Sequence, residues 1–237
     1  MNRFYESEVA TTLTLDEDES RHAVKVLRLI AGDLIEVVDG RGTLHTMRIT
    51  LAHPKRCAVE VVQSATVPTH WGHRLELAVA PTKHLDRIEW AVEKCTEMGF
   101  DRLIPLHGHN SERVTLKTER LRRVMVAAMK QSLGATLPQC DEMTPVMDVI
   151  SAPFDGQRFI AYCDAMLPRD QRRSLAREYH PGSDVQVLIG PEGDFSPQEV
   201  EAALAAGFIP VTLGESRLRT ETAAVMACAT IHTLNQL

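Results

Sequence analysis

Arg217, Arg219 and Glu221 alternate along one short stretch, Leu213-Gly-Glu-Ser-Arg-Leu-Arg-Thr-Glu-Thr222. Two guanidiniums and a carboxylate crowd a loop that has no structural need of them. A guanidinium can hydrogen-bond negative charge, and a carboxylate can accept a proton or orient its neighbour. A carboxylate at Glu221 is equally what a helix dipole favours in a first turn, and Thr220 reads as that helix's N-cap. A second loop, Gly190-Pro-Glu-Gly-Asp194, lies upstream. A phosphate cradle needs several free N–H groups and no negative charge nearby. Pro191 has no N–H, Glu192 and Asp194 would repel a pyrophosphate, and neither G-x-G-x-x-G nor G-K-[ST] occurs. The loop suits a neutral or cationic ligand held by backbone amides and carbonyls.

Both loops must be carried by an α/β sheet. Val185 to Ile189 and Ile209 to Leu213 read as buried strands leading into them. Ser196-Pro-Gln-Glu199 is a capping box with proline at the first helical position, and a terminal helix starts at Thr220. Ligands of open α/β sheets bind outside the carboxyl ends of the strands, where both loops fall. Further strands are expected at Leu75 to Ala80, Arg102 to Leu106 and Arg158 to Cys163, with helices at Asp86 to Met98 (stopped by Gly99) and Glu119 to Leu133. This alternation predicts a mostly parallel sheet covered on both faces. The first seventy residues differ. Leu34 to Asp39 closes in an Asp-Gly turn, Thr43 to Thr50 alternates as its partner, and Cys57 to Val62 adds a strand, so a small barrel is expected. Ser20 to Leu29 reads as one short helix, and Val67 to Gly72 as a linker.

The chain has 237 residues and a net charge of −6. The charge is uneven. Between Arg21 and Arg56 seven basic residues oppose three acidic ones, and between Ser111 and Lys130 six oppose two. Local fields of this kind steer a polyanion, so the total excludes a wholly basic binder but not RNA. Five scattered cysteines (57, 95, 140, 163 and 228) argue for reduced thiols in a cytoplasm and against a disulfide framework. No apolar run approaches a membrane span, and the N-terminus lacks a signal-peptide core. The pairs His70/His73 and His107/His109 have no thiol or carboxylate completing a ligand set, so no metal is expected.

"LIGPEGDFSPQEV" followed by "LGESRLRTETAAVMA" resembles the signature of the 16S ribosomal RNA uridine-N3 methyltransferases, the RsmE family of the SPOUT methyltransferase superfamily. Arg21 to Arg28 with Gly32-Asp33, Lys83 to Gly99 and Ser111-Glu-Arg113 extend the likeness over nearly the whole chain, in the family's order. Two departures stand out: the family's Glu-Gln-x-x-Arg segment appears as Lys130-Gln131-Ser132, and Asp194 replaces a glycine. The resemblance implies a PUA-like RNA-binding barrel over residues 1–70 and a SPOUT α/β domain with a trefoil knot over 74–237. It also implies S-adenosylmethionine as cofactor, 16S ribosomal RNA as substrate, and a homodimer joined through the terminal helix around Ala224, Val225 and Ile231. A sulfonium cation without phosphates agrees with the loop chemistry. Arg219 and Glu221 are then the candidate catalytic residues. Leu188, Gly190, Glu192, Gly193, Leu213, Gly214, Leu218 and Thr220 are candidates for the cofactor. Arg3, Arg21, His22, Lys25, Arg28 and Arg113 are candidates for RNA. The alternatives are a non-catalytic RNA-binding ribosome-assembly factor and a SPOUT enzyme acting on another RNA.

Overall fold

The computed structural model describes residues 2–162 and 173–237. The chain forms two compact units: Met1–His70 with Val126–Leu137, and Trp71–Met125 with Pro138–Leu237.

In the first unit β1 (Arg3–Tyr5) precedes two short helices, α1 (Val9–Thr12) and α2 (Glu17–Arg21), and then come β2 (Leu34–Val38), β3 (Thr43–Leu51) and β4 (Ala58–Thr66). They make one sheet in the order β1-β2-β3-β4, with β1 parallel to β2 and the other pairs antiparallel. On β3, His45, Met47 and Ile49 are buried in alternation, the period-2 pattern of a strand with one face inward. Phe4, Ile35, Val37, Met47 and Ile49 fill the core. The Asp-Gly turn is present: Asp39 Oδ1 accepts the amides of Arg41 at 2.8 Å and Thr43 at 3.0 Å. Gly40 has φ +76°, and a Cβ there would sit 2.9 Å from the Tyr5 ring, so only glycine fits.

Two expectations are corrected here. The single helix over Ser20 to Leu29 is instead α2 followed by a π-helical turn, His22–Val26. The wider turn buries Ala23 and leaves Lys25, Val26 and Arg28 in solvent, with Arg28 in the left-handed region at φ +57°. Residues 126–137, assigned by a break at 70–74 to the second domain, group with the first unit. There Met129, Ala135 and Leu137 pack with Val38 and Tyr5, and Gly42 donates its amide to Ala135 O at 3.0 Å. Lys130, at the departure from the family pattern, pairs with the buried Glu19.

The second unit runs β5 (Leu75–Val79), α3 (Leu85–Met98), β6 (Arg102–His107), α4 (Thr118–Gln131, whose residues from Val126 belong to the first unit), β7 (Gln139–Cys140), β8 (Thr144–Pro145), α5 (Val146–Ser151), β9 (Gln157–Ala161), α6 (Leu175–Glu178), β10 (Val185–Ile189), α7 (Pro197–Ala205), β11 (Ile209–Val211) and α8 (Thr220–Asn235). Its strands pair in parallel in the order β11-β9-β10-β5-β6-β7, with β8 beside β6. Every residue of β5 and β10 is buried, as a sheet covered on both faces requires. α5 and α7 cover one face around Ile104, Ile160, Leu188 and Phe195, and α3 and α8 cover the other. Arg158 ties the first layer together: it donates to Val149 O and Ile150 O at the end of α5 and lies 3.9 Å over the Phe208 ring. Trp71, expected in a linker, instead packs on Gly99, where a Cβ would meet its ring at 2.3 Å. The expected strand to Leu213 ends at Val211, and Cys163 lies outside the described residues. No helix among the described residues is long and apolar enough to cross a membrane.

Candidate active site

Strand order builds the site. β10 is inserted between β9 and β5, whereas β11 lies beyond β9 at the sheet edge. The chain leaves β11 there and returns in α8 to pack on α3, β5 and β10. Residues 212–219 therefore cross the C-terminal end of β9 and bring the head of α8 to the loop after β10. The junction is a buried hydrogen bond: Thr220 Oγ1 donates to Gly190 O at 3.0 Å. Thr220 is thus the first residue of α8 and a clasp between the two glycine loops. The N-cap is Arg219, whose side chain makes no capping bond. The N-cap reading of Thr220 fails because its hydroxyl has a better-placed acceptor on the neighbouring strand.

The Gly190–Asp194 loop is pinned from outside by Asn110, which donates to Gly193 O and Asp194 O at 3.1 Å each. A Cβ on Gly193 would come 3.1 Å from Asn110 Cβ, and one on Gly190 3.1 Å from the Phe195 ring. Asp194 has φ +62°, which explains a glycine in the family pattern. Aspartate is tolerated because its own Oδ1 accepts the Phe195 amide at 2.8 Å. Glu199 closes the capping box on Ser196 and also accepts the His109 amide at 2.8 Å, joining α7 to the loop after β6.

The second loop is open. Gly214 has φ +140° with nothing within 4 Å of a Cβ, and no backbone hydrogen bond among the described residues engages the amides of 214–219. With respect to the described residues, those amides are open to a ligand. Gly214 and Arg219 are exposed, and Leu213 and Leu218 are half-buried. Glu221 is different: its side chain is 8% exposed, and Oε2 is buried with no hydrogen-bond partner. Its ion partner is not Arg219 but Arg87, whose Nε lies 3.9 Å from Oε1. Arg87 Nη1 also lies 3.6 Å from Glu192 Oε1, so one guanidinium faces a carboxylate from each loop. Glu192 is therefore partly neutralised and repels an anion less than its sequence suggests.

Arg87 and Asn110 escaped the sequence reading. A signal for Arg87 existed: it is a cation in the first turn of α3, where the helix dipole disfavours one. The side chain of Leu188 is fully buried in the core on the α5–α7 face, which leaves its backbone as the part that can meet a ligand. Arg3 and Arg113 are engaged internally. Arg3 pairs with Glu36 at 2.8 Å and donates to Leu133 O. Arg113 donates to Thr82 O at 3.3 Å and Lys83 O at 2.7 Å, bracing the loop after β5. Arg21 bridges Glu17 and Asp18 at the surface, and His22 meets Phe4 edge-on at 5.9 Å between ring centres. Lys25 and Arg28 are exposed and form no ion pair among the described residues, so of the six candidates they are the freest for phosphates. No group of three or more His, Cys, Asp or Glu among the described residues is arranged to hold a metal.

A family profile described as RNA methyltransferase domain matches residues 70–232, and one described as RNA methyltransferase PUA domain matches residues 15–62. The ribosomal RNA small subunit methyltransferase E of Mycobacterium bovis is 28% identical over 232 residues, spanning 93% of this chain and 86% of that protein. A crystal structure of a probable rRNA methyltransferase from Porphyromonas gingivalis is 44% identical with a TM-score of 0.94, covering 100% of this chain and 99% of that one. The ribosomal RNA small subunit methyltransferase E of Neisseria gonorrhoeae, solved with bound S-adenosylmethionine, is 27% identical with a TM-score of 0.84, covering 99% and 98%. A parallel α/β unit whose last helix is clasped to a glycine loop, preceded by a small sheet unit, thus has named counterparts along its whole length: the chain belongs to the RNA methyltransferase domain family, in the group of the small-subunit ribosomal RNA methyltransferase E proteins.

Proposed function

We propose that this protein methylates N3 of a specific uridine in 16S ribosomal RNA, using S-adenosylmethionine. The observation that carries the reading is the clasp at Thr220, which joins the Gly190 loop to a second loop whose amides and Arg219 have no partner among the described residues, next to a buried carboxylate with an unused oxygen. The residues fit this cofactor: Gly190, Glu192, Gly193, Leu213, Gly214, Leu218 and Thr220 offer backbone groups, apolar contact and carboxylates to a ligand without phosphates. When bound, it supplies an electrophilic methyl group. The chain's own residues do the rest. Uridine N3 is an imide nitrogen that becomes nucleophilic as its proton leaves. Arg219 hydrogen-bonds a uracil oxygen and stabilises the negative charge, Glu221 accepts the proton, and the clasped loops hold both in place. Lys25 and Arg28, with Arg21 and His22, take the RNA backbone.

The reading includes a PUA-like barrel in the first unit and a trefoil knot in the second. In support of the knot, residues 212–219 lead from β11 at the sheet edge back to the head of α8 beside the loop after β10, and the Thr212 amide donates to Arg173 O at 2.7 Å. A cytoplasmic location follows from the substrate and agrees with the buried free thiols of Cys57, Cys95, Cys140 and Cys228. The test is nucleoside mapping of small-subunit RNA from cells with and without the gene. One uridine methylated at N3 should be lost on deletion and restored by the gene. An unchanged map with a ribosome-assembly defect favours the non-catalytic reading, and loss of a different nucleoside favours another RNA target.

A homodimer completes the reading, on a corrected surface. Ala224 and Ile231 are buried against the rest of the subunit and face no partner. The outward apolar residues of α8 and α3 are Val225, Met226 and Trp90, with Met226 41% and Trp90 44% exposed. Light scattering should report twice the mass of one chain, and Met226→Asp should lower it. A fully active wild-type monomer at micromolar concentration ends this part of the reading.

A further inference from the structure

The buried carboxylate of Glu221 raises a question that the two glycine loops do not answer. An ionised carboxylate this far from solvent is costly unless paired, and here one oxygen has no hydrogen bond. The ion pair it makes among the described residues is with Arg87, and Arg87 is shared with Glu192. Both separations, 3.6 and 3.9 Å, lie within ion-pair range but are too long for hydrogen bonds. Arg87 itself projects from the first turn of α3, the helix that packs on α8 and follows β5, the strand beside β10. One planar fork therefore spans three elements: the loop after β10, the head of α8 and the start of α3. A lysine ammonium can touch two carboxylates, but it is one point charge and lacks the rigid plane that keeps Nε on Glu221 and Nη1 on Glu192 at fixed separation.

We infer that Arg87 is a positioning residue for the methyl transfer: it holds Glu221 through Oε1, leaves Oε2 as the proton acceptor, and ties that geometry to the glycine loop through Glu192. This rests on the proposed uridine-N3 reading. In the step it serves, the N3–H bond breaks and the proton passes to Oε2, giving a neutral carboxylic acid. The electron pair stays on N3 and forms the bond to the methyl carbon, while the carbon–sulfur pair stays on sulfur as a thioether. Arg87 touches neither the uracil nor the methyl group. It shortens the search for the reactive arrangement, so its contribution belongs to kcat.

A purely structural ion pair predicts something else. Arg87 is about one-third exposed, and such pairs contribute little stability that an ammonium could not replace. The test compares full-length wild type, Arg87→Lys and Arg87→Ala for S-adenosylmethionine affinity by calorimetry, melting temperature, and kcat and KM on small-subunit RNA. Arg87→Lys should keep the wild-type melting temperature and cofactor affinity to within a few-fold, yet lose about tenfold to a hundredfold in kcat, the cost of a misplaced reacting group. In a Glu221→Gln background the same change should cost nothing further in kcat, because Arg87 acts through Glu221. Full kcat in Arg87→Lys, a loss confined to KM, or an equal loss in both backgrounds overturns the inference. Should Arg87→Ala fail to fold, the lysine variant and the double variant decide alone. A wild-type protein that binds no S-adenosylmethionine brings down the functional reading and this inference together, whereas an active wild type with an active Arg87→Lys brings down only the inference.

Discussion

Arg219→Ala should cut the single-turnover rate by about a hundred- to a thousandfold, roughly 3–4 kcal/mol, which is the usual cost of losing a charged donor at developing negative charge. Its S-adenosylmethionine affinity and melting temperature should stay close to wild type. The second half of this expectation comes from the fold. Arg219 is exposed, precedes α8 without capping it, and forms no ion pair among the described residues, so its removal leaves no stranded partner. A benefit realised mainly in the transition state lowers the rate without weakening ground-state binding. Arg219→Lys should recover little, since an ammonium does not reproduce the planar fork. If Arg219 only braced the loop through Glu221, stability and cofactor affinity would fall together. The pairing of Glu221 with Arg87 already speaks against that brace. An Arg219→Ala protein turning over at the wild-type rate once saturated ends the assignment.

Glu221→Gln should slow the reaction by about a hundred- to ten-thousandfold, the range for a lost general base. It should do so without destabilising the protein. The substitution keeps the shape and removes a buried charge that is only partly compensated, so the melting temperature should hold or rise. Opposite movements of rate and stability are what a functional buried carboxylate produces. If Glu221 merely complements the dipole of α8, the result reverses: stability falls by about 0.3–1 kcal/mol and the rate is intact. Thermal melts and single-turnover rates on one preparation separate the two.

Much of the site was legible because its signals are local. Ser196, Pro197 and Glu199 mark the start of α7 within four residues, and all three take the expected positions. The apolar run Val185–Ile189 is a strand at the same residues as expected, because a sheet buried on both faces demands continuous hydrophobicity. The glycines at 190, 193 and 214, and the missing amide of Pro191, describe a loop for a ligand other than a phosphate from composition alone. The small elements were missed for the complementary reason. β1 and the strands β7 and β8 are two or three residues long, too short to show a period. The assignment of residues 126–137 to the first unit rests on packing against Val38 and Tyr5, which no pattern within 126–137 announces.

By itself the sequence determined most kinds of element, the two loops with their ligand preference, and the charged residues crowded into the second loop, since each depends on neighbours within a few positions. Family likeness added the cofactor and the RNA, which periodicity does not contain. Only the tertiary structure decided which charges are available. Arg3, Arg113 and Arg219 look alike in one dimension. Folding engages Arg3 with Glu36 and Arg113 with the Thr82–Lys83 carbonyls, and leaves Arg219 open. It likewise joined Thr220 to Gly190 and set Arg87 between Glu192 and Glu221. These partners lie far apart along the chain, and they meet because β10 inserts beside β5 and α8 returns over both. Strand order is a property of the whole buried sheet, chosen by the packing of both its faces, and no short stretch of residues encodes it.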